Sequence, residues 1–240
     1  MTAEMLTKKS SCSSGNEYET ELSNWIKQER DAIEFIGIIG ALWFEKSIEL
    51  IIFRNQLIDR SSSEIMNLIL YSKNFVKQPI TIHDTVLLAR EIQKLDIVPS
   101  RIDMGRLGVE WIQERTKYKN DSFIFIKDKL TSFIGNDKLS ISPKDVVLYG
   151  FGRVGRIATR ELIAQAGKGD QLRLRAIVTR SNSDADIIKR ADLLRTDSVH
   201  GPFPGTVVED FTNKSLIING HLVNMIASDK FEGIDYESYG

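Results

Sequence analysis

Cysteine is nearly absent from this 240-residue chain: the single thiol, Cys12, lies in the Ser-rich stretch KKSSCSSGN and has no disulfide partner within the chain. A reducing compartment fits that usage, and a polar tail offers Cys12 neither a base nor oxyanion donors for catalysis. Proline is scarce too, with five in all and none before Pro79, so nothing interrupts helix formation over the first third. Positive charge is gathered nowhere: residues 1–142 carry 19 Lys/Arg against 20 Asp/Glu, residues 143–240 carry 13 of each, and the net charge is -1. Phosphate-driven nucleic-acid binding leaves a basic cluster, so no nucleic-acid partner is expected. Long apolar runs are missing as well. The longest, FIGIIGALWF at Phe35–Phe44, is about half of what a helix needs to cross a bilayer. The polar first 18 residues make no signal peptide. No membrane partner is expected, and the chain reads as cytoplasmic.

What remains is the composition of a folded globular protein, with 42% hydrophobic and 27% charged residues. Residues 1–18, rich in Ser, Thr and Lys, read as a disordered tail. Residues 19–140 read as a mainly helical N-terminal extension. Leu22, Trp25, Ile26, Ile33, Ile36 and Leu42 recur near the helical period, while SIELIIFRNQL is ambiguous between strand and buried helix. Ser62 or Ser63 is expected to cap a helix carrying Ile65, Leu68, Ile69 and Phe75. Thr81 is expected to cap a second, with Val86, Leu87, Ile92 and Leu95 inward, and VPSRIDMGRLGVEWIQE supplies a third. His83 has no Cys, His or carboxylate at metal-ligand spacing, and Trp25, Trp43 and Trp111 read as packing residues. No metal site and no catalytic residue is expected in this part.

From about residue 141 the texture changes to strand, helix, strand, the pattern of βαβ units and a parallel sheet. The fold class is therefore α/β, a helical region followed by a partial Rossmann domain over residues 141–240. Its centre is DVVLYGFGRVGRIATRELIAQAG. VVLY reads as a short strand buried on both faces, and a helix follows with Val154, Ile157, Ala158 and Leu162 on one side. Between them Gly150 permits the tight turn, Gly152 lets backbone approach a pyrophosphate, and Gly155 lets helix and strand close up. The unpaired amides of Arg153 and Val154 point at the anion, and the helix dipole adds about half a positive charge.

LRLRAIVTR supplies the next strand, Leu172 to Thr179. An acidic residue at its end would accept the ribose hydroxyls of NAD, but Arg180 stands there. A guanidinium pairs with phosphate instead, so Arg180, helped by Thr179, Ser181 and Ser183, favours NADP over NAD. Two alternatives stay open: Arg180 points to solvent, or Asp184 or Asp186 binds the ribose.

GFGRVGR at Gly150–Arg156, the strand AIVT, LLRTDSVHGPFPGTV and LIINGHLV together resemble the N-terminal half of glyceraldehyde-3-phosphate dehydrogenase over residues 144–240. The family pattern there reads N-G-F-G-R-I-G-R, then D-S-T-H-G-x-F-x-G and a later I-N-G. Residues 20–140, with LDIVPSRIDMGRL, resemble the extra helical region of a long bacterial form. The resemblance implies an NAD(P)-dependent oxidation of glyceraldehyde 3-phosphate with phosphate as second substrate, in a homotetramer. It carries Gly150, Gly152, Arg153, Val154 and Gly155 over as the pyrophosphate loop. It also implies a catalytic Cys in a Ser-Cys-Thr-Thr-Asn motif and a separate catalytic His. Neither lies before Gly240, so the chain reads as a truncated cofactor-binding half. His200 matches a loop histidine and His221 reads as an exposed strand residue. Tyr149 stands where the pattern has Asn, Arg180 where it has Asp, and Val199 where it has Thr. Two other readings are a non-catalytic nucleotide-binding or interaction module, and a related enzyme such as erythrose-4-phosphate dehydrogenase.

Overall fold

The computed structural model describes residues 14–74, 76, 78–135, 142–167, 169 and 172–239. They form two compact units, residues 14–42 with 48–135 and residues 43–47 with 142–239. Cys12 and Phe75 lie outside the described residues. No described helix is long and apolar enough to cross a membrane.

The first unit opens with α1 (Ser14–Lys46), so residues 14–18 of the expected tail are helical. Ala32, Phe35, Ile38, Ile39 and Leu42 recur at the helical period and are buried, which is what fixes this helix against its unit. The ambiguous SIELIIFRNQL resolves as a strand pair, β1 (Ile48–Ile52) and β2 (Asn55–Gln56), antiparallel to each other. α2 (Ser62–Ser72) and α3 (Ile82–Lys94) follow. The α2 cap is Ser61, one residue ahead of the expected pair, because only Ser61 has Glu64 three positions on to complete a reciprocal capping box. α3 is capped by Thr81 as expected, and Leu88 rather than the half-buried Leu87 completes its core face. The segment after Pro99 is part strand: β3 (Ser100–Asp103) pairs parallel with β1 before α4 (Met104–Glu114) begins. α5 (Ser122–Lys129) closes the unit.

The second unit carries the expected strand–helix–strand, β4 (Lys144–Tyr149), α6 (Arg153–Ala166) and β5 (Leu172–Thr179). Then come α7 (Asp184–Arg195), the small pair β6 (Thr196–Asp197) and β7 (Gly201–Pro202), and β8 (Val207–Asp210), β9 (Ser215–Ile218) and β10 (His221–Ala227). The main sheet runs β4-β5-β10-β9-β8, with β4, β5 and β10 mutually parallel and β9 antiparallel to both neighbours. Asn219 (φ 47°) and Gly220 (φ 83°) make the two-residue turn between β9 and β10, for which Asn-Gly is the strongest short-range signal. Ile163, Ile187, Ala191 and Leu194 pack on the sheet face that holds Leu174, Ile177, Val223 and Met225.

Two expectations fail here. β4 is not buried on both faces: it is the edge strand of the described sheet, with Lys144, Asp145 and Tyr149 exposed and Val146, Val147 and Leu148 half-buried. On α6 the buried residues are Thr159, Ile163 and Ala166, whereas Val154 and Ile157 are exposed. The first turn of α6 follows the glycine loop directly, and the expected side reaches the core only further on, where Leu162 packs against it.

Candidate functional site

The loop between β4 and α6 is built by three glycines with different constraints. Gly150 has φ +95°, a conformation that side chains resist, and its N–H donates to the Val178 carbonyl at 2.8 Å. A Cβ on Gly155 would lie 2.4 Å from the Gly150 carbonyl oxygen, so only glycine lets the helix start this close to the turn. Gly152 is the helix N-cap, and a Cβ there would meet nothing within 4 Å. Phe151 anchors the loop in the core beneath.

Gly152 has no side chain to cap α6, and the first intrahelical bond recorded at this end runs from the Arg156 N–H to the Gly152 carbonyl at 3.0 Å. The amides of Arg153, Val154 and Gly155 therefore precede it uncapped, at the positive end of a 14-residue helix. Arg153 and Val154 are exposed, and the Arg153 guanidinium has no partner among the described residues. Gly150, Gly152, Arg153, Val154 and Gly155 thus come together in one open loop.

At the end of β5, next to that loop, Thr179 is buried and its hydroxyl donates to the Ser181 carbonyl at 2.9 Å. Arg180 is exposed and makes no hydrogen bond or ion pair among the described residues. Its expected helpers are otherwise engaged. The Ser181 and Ser183 hydroxyls both donate to Asp186 Oδ2, at 2.5 and 2.8 Å, and Ser183 caps α7. Those two hydroxyls hold the Asp186 carboxyl below its ordinary range, Ser181 contributing most. Asp184 takes Lys214 Nζ at 2.6 Å. Both carboxylates considered as ribose ligands are committed to other partners, while Arg180 is free.

DSVHG is tied to the glycine loop in a way that linear reading missed. Asp197, with 3% of its side chain exposed, accepts from Arg156 Nη2 at 3.0 Å. Its other oxygen accepts the N–H groups of Val199 (2.9 Å) and His200 (3.0 Å) and lies 3.0 Å from His200 Nδ1. The Val199 amide, Arg156 and His200, in that order, hold the carboxyl far below the usual carboxylate range. Arg160 donates to the Leu194 and Gly201 carbonyls at 2.7 and 2.9 Å. Arg156 and Arg160 therefore fasten the loop, and His200 is part of that fastening. His221 is half-buried rather than exposed, and burial lowers its pKa. Among the described residues no group of three or more potential metal ligands converges.

Residues 144–240 match the family model described as glyceraldehyde 3-phosphate dehydrogenase, NAD binding domain. A glyceraldehyde-3-phosphate dehydrogenase-like protein of Pseudomonas aeruginosa (strain UCBPP-PA14) is 36% identical over 208 residues, 85% of this chain and 45% of that protein. A glyceraldehyde-3-phosphate dehydrogenase of Thermotoga maritima is 34% identical over 95 residues, 40% of this chain and 26% of that enzyme. The resemblance carried by GFGRVGR, DSVHG and the later NG is borne out. The matches span less than half the length of either relative.

Proposed function

With residues 144–240 matching the NAD-binding domain of the glyceraldehyde-3-phosphate dehydrogenase family, we propose that this chain supplies the NAD(P)-binding half of such a dehydrogenase. The carrying observation is the uncapped start of α6: Gly155 closed on Gly150, and Gly152 with open space where a Cβ would stand. These features fit a dinucleotide, because a pyrophosphate needs unpaired amides and a backbone that it can touch. The amides of Arg153, Val154 and Gly155 hold the pyrophosphate, and Arg180 takes a 2′-phosphate. Thr179 supports the strand end through its bond to Ser181. The bound cofactor supplies a hydride acceptor for oxidation of an aldehyde. In this reading the aldehyde is glyceraldehyde 3-phosphate, phosphate is the second substrate, and the setting is a cytoplasmic homotetramer.

Engagement of Asp184 and Asp186 elsewhere supports NADP over NAD. Titration calorimetry with NADPH and NADH, on the wild-type chain and on Arg180→Asp, tests this. A charge-assisted contact to the 2′-phosphate contributes about 1.5–3 kcal/mol, so the substitution weakens NADPH roughly 10- to 100-fold and spares NADH. Equal loss of both, or no change, discards the NADP preference. A wild-type chain that binds neither discards the site.

A further inference from the structure

The ends of the parallel strands hold one arrangement that phosphate binding leaves unused. Tyr149, the last residue of β4, donates its hydroxyl to the Asp229 carbonyl at 2.6 Å. Its ring meets Phe231 edge-on, with centroids 6.3 Å apart and planes at 88°. The strand order sets β5 between β4 and β10, so this link joins the two strand ends that flank Thr179 and Arg180. The three ends are fixed side by side. Gly150 N–H donates to the Val178 carbonyl and Ser228 N–H to the Thr179 carbonyl, each at 2.8 Å.

Packing does not account for the aromatic pair. Tyr149 is 53% exposed and Phe231 61%; besides their edge contact and the Tyr149 bond to Asp229, the Tyr236 hydroxyl donates to the Phe231 carbonyl at 2.7 Å. Two cations without partners among the described residues stand on the same edge: Arg180 after β5, and Lys230 between Asp229 and Phe231. Exposed aromatic rings, with cations following the neighbouring strand ends, suit a flat base joined to a phosphorylated ribose, since every base has a π-face and phosphate draws the cations. The carboxyl ends of parallel strands are where open α/β sheets take such ligands.

We propose that Tyr149 and Phe231 form a base-stacking wall at this edge, against which the adenine of the bound nucleotide lies. The Tyr149–Asp229 hydrogen bond fixes the angle of the wall. The inference rests on the nucleotide-binding reading above and extends it from phosphate to base. Tyr149 stands where the related pattern has Asn, whose side chain offers no ring, so the wall is a property of this chain. Tyr149 acts as a positioning residue for the base.

Two probes separate base from phosphate: ADP carries both, pyrophosphate only the latter. Titration calorimetry on the full chain compares the wild type with Tyr149→Ala, Phe231→Ala and Tyr149→Phe. Loss of the ring weakens ADP roughly tenfold, the size expected of one base–aromatic stack, and leaves pyrophosphate within about twofold. Tyr149→Phe keeps the ring and stays within about threefold of wild type for ADP. Phe231→Ala, at an exposed site, guards against a misfolded Tyr149→Ala, and circular dichroism melting checks both. ADP affinity unchanged in the two alanine variants overturns the wall and spares the nucleotide site. A parallel loss of ADP and pyrophosphate also overturns it, because a displaced loop would then be the cause. A wild-type chain that binds neither probe overturns the nucleotide reading and the wall together.

Discussion

Gly155 has no room for a methyl group, because the Gly150 carbonyl lies 2.4 Å from where it would stand and both atoms belong to backbone. Gly155→Ala is expected to destabilise by about 1–3 kcal/mol, the usual range for overpacking, read as a lower urea midpoint at unchanged slope. Asp197 is the second residue with a sharp expectation. Its carboxyl is held lower when folded than when unfolded, so it stabilises the fold above about pH 4, and that share is lost as pH falls through the folded value. Asp197→Asn should lower stability at neutral pH and flatten the fall between pH 4 and pH 2 in urea titrations; a wild-type-like acid slope would refute the assignment. The turn at Gly150 and the close approach at Gly155 were legible because the glycines follow a strand and open a helix. The Arg156–Asp197 pair was not, since its partners are 41 residues apart and only the fold joins them. The place of Arg180 at the end of β5 was legible, but the capture of Ser181 and Ser183 by Asp186 was not, because short polar side chains choose among several near neighbours.

The first turn of α2 shows how one pair of residues sets an element's boundary. Ser61 and Glu64 bond each other's backbone, and the Ser61 N–H, the Ser61 hydroxyl and Arg60 hold the Glu64 carboxyl down to about 2. Ser61→Ala is expected to cost about 1 kcal/mol of stability, measured by chemical denaturation. Since the Glu64 value is depressed on folding, its contribution is complete above about pH 4.5 and disappears as pH falls toward 2. A Glu64→Gln variant should lose that acid sensitivity while keeping the helix in circular dichroism. Elsewhere the helical period located α1 and α3, although Leu22, Trp25, Ile26 and Ile33 of α1 are exposed rather than packed, and it was a poor guide to SIELIIFRNQL and SRID. Those become strands because β1 and β3 pair with each other across the chain, Ile48 with Ser100 at one end, a partnership that no local window contains. For α6 the period was right and the face only partly so: Leu162 packs against the core, while Val154 and Ile157 nearer the start are exposed, because which stripe is buried depends on where the sheet lies.

At the scale of the whole chain, the buried apolar side chains among the described residues form one cluster in the first unit, drawn from residues 32–130, and two in the second, drawn from residues 151–226. Units whose cores share no residue are expected to melt as separate cooperative units. Scanning calorimetry should give a van 't Hoff enthalpy below the calorimetric one, and equality of the two would show that they unfold together. The α/β class was readable from pattern, because switching from helical to alternating periodicity is a property of the chain itself. The order of the sheet was not, and with it the exposure of β4. That strand has a consequence for handling the protein. Its outer row of peptide groups has no ladder partner among the described strands, so it can template strands from neighbouring molecules. Lys144 and Asp145 at its start and the register shift between Val146 and Val147 interrupt a straight docking edge. With a net charge of only -1 there is little long-range repulsion to keep copies apart, so concentrated solutions should scatter more light as pH approaches 6.3.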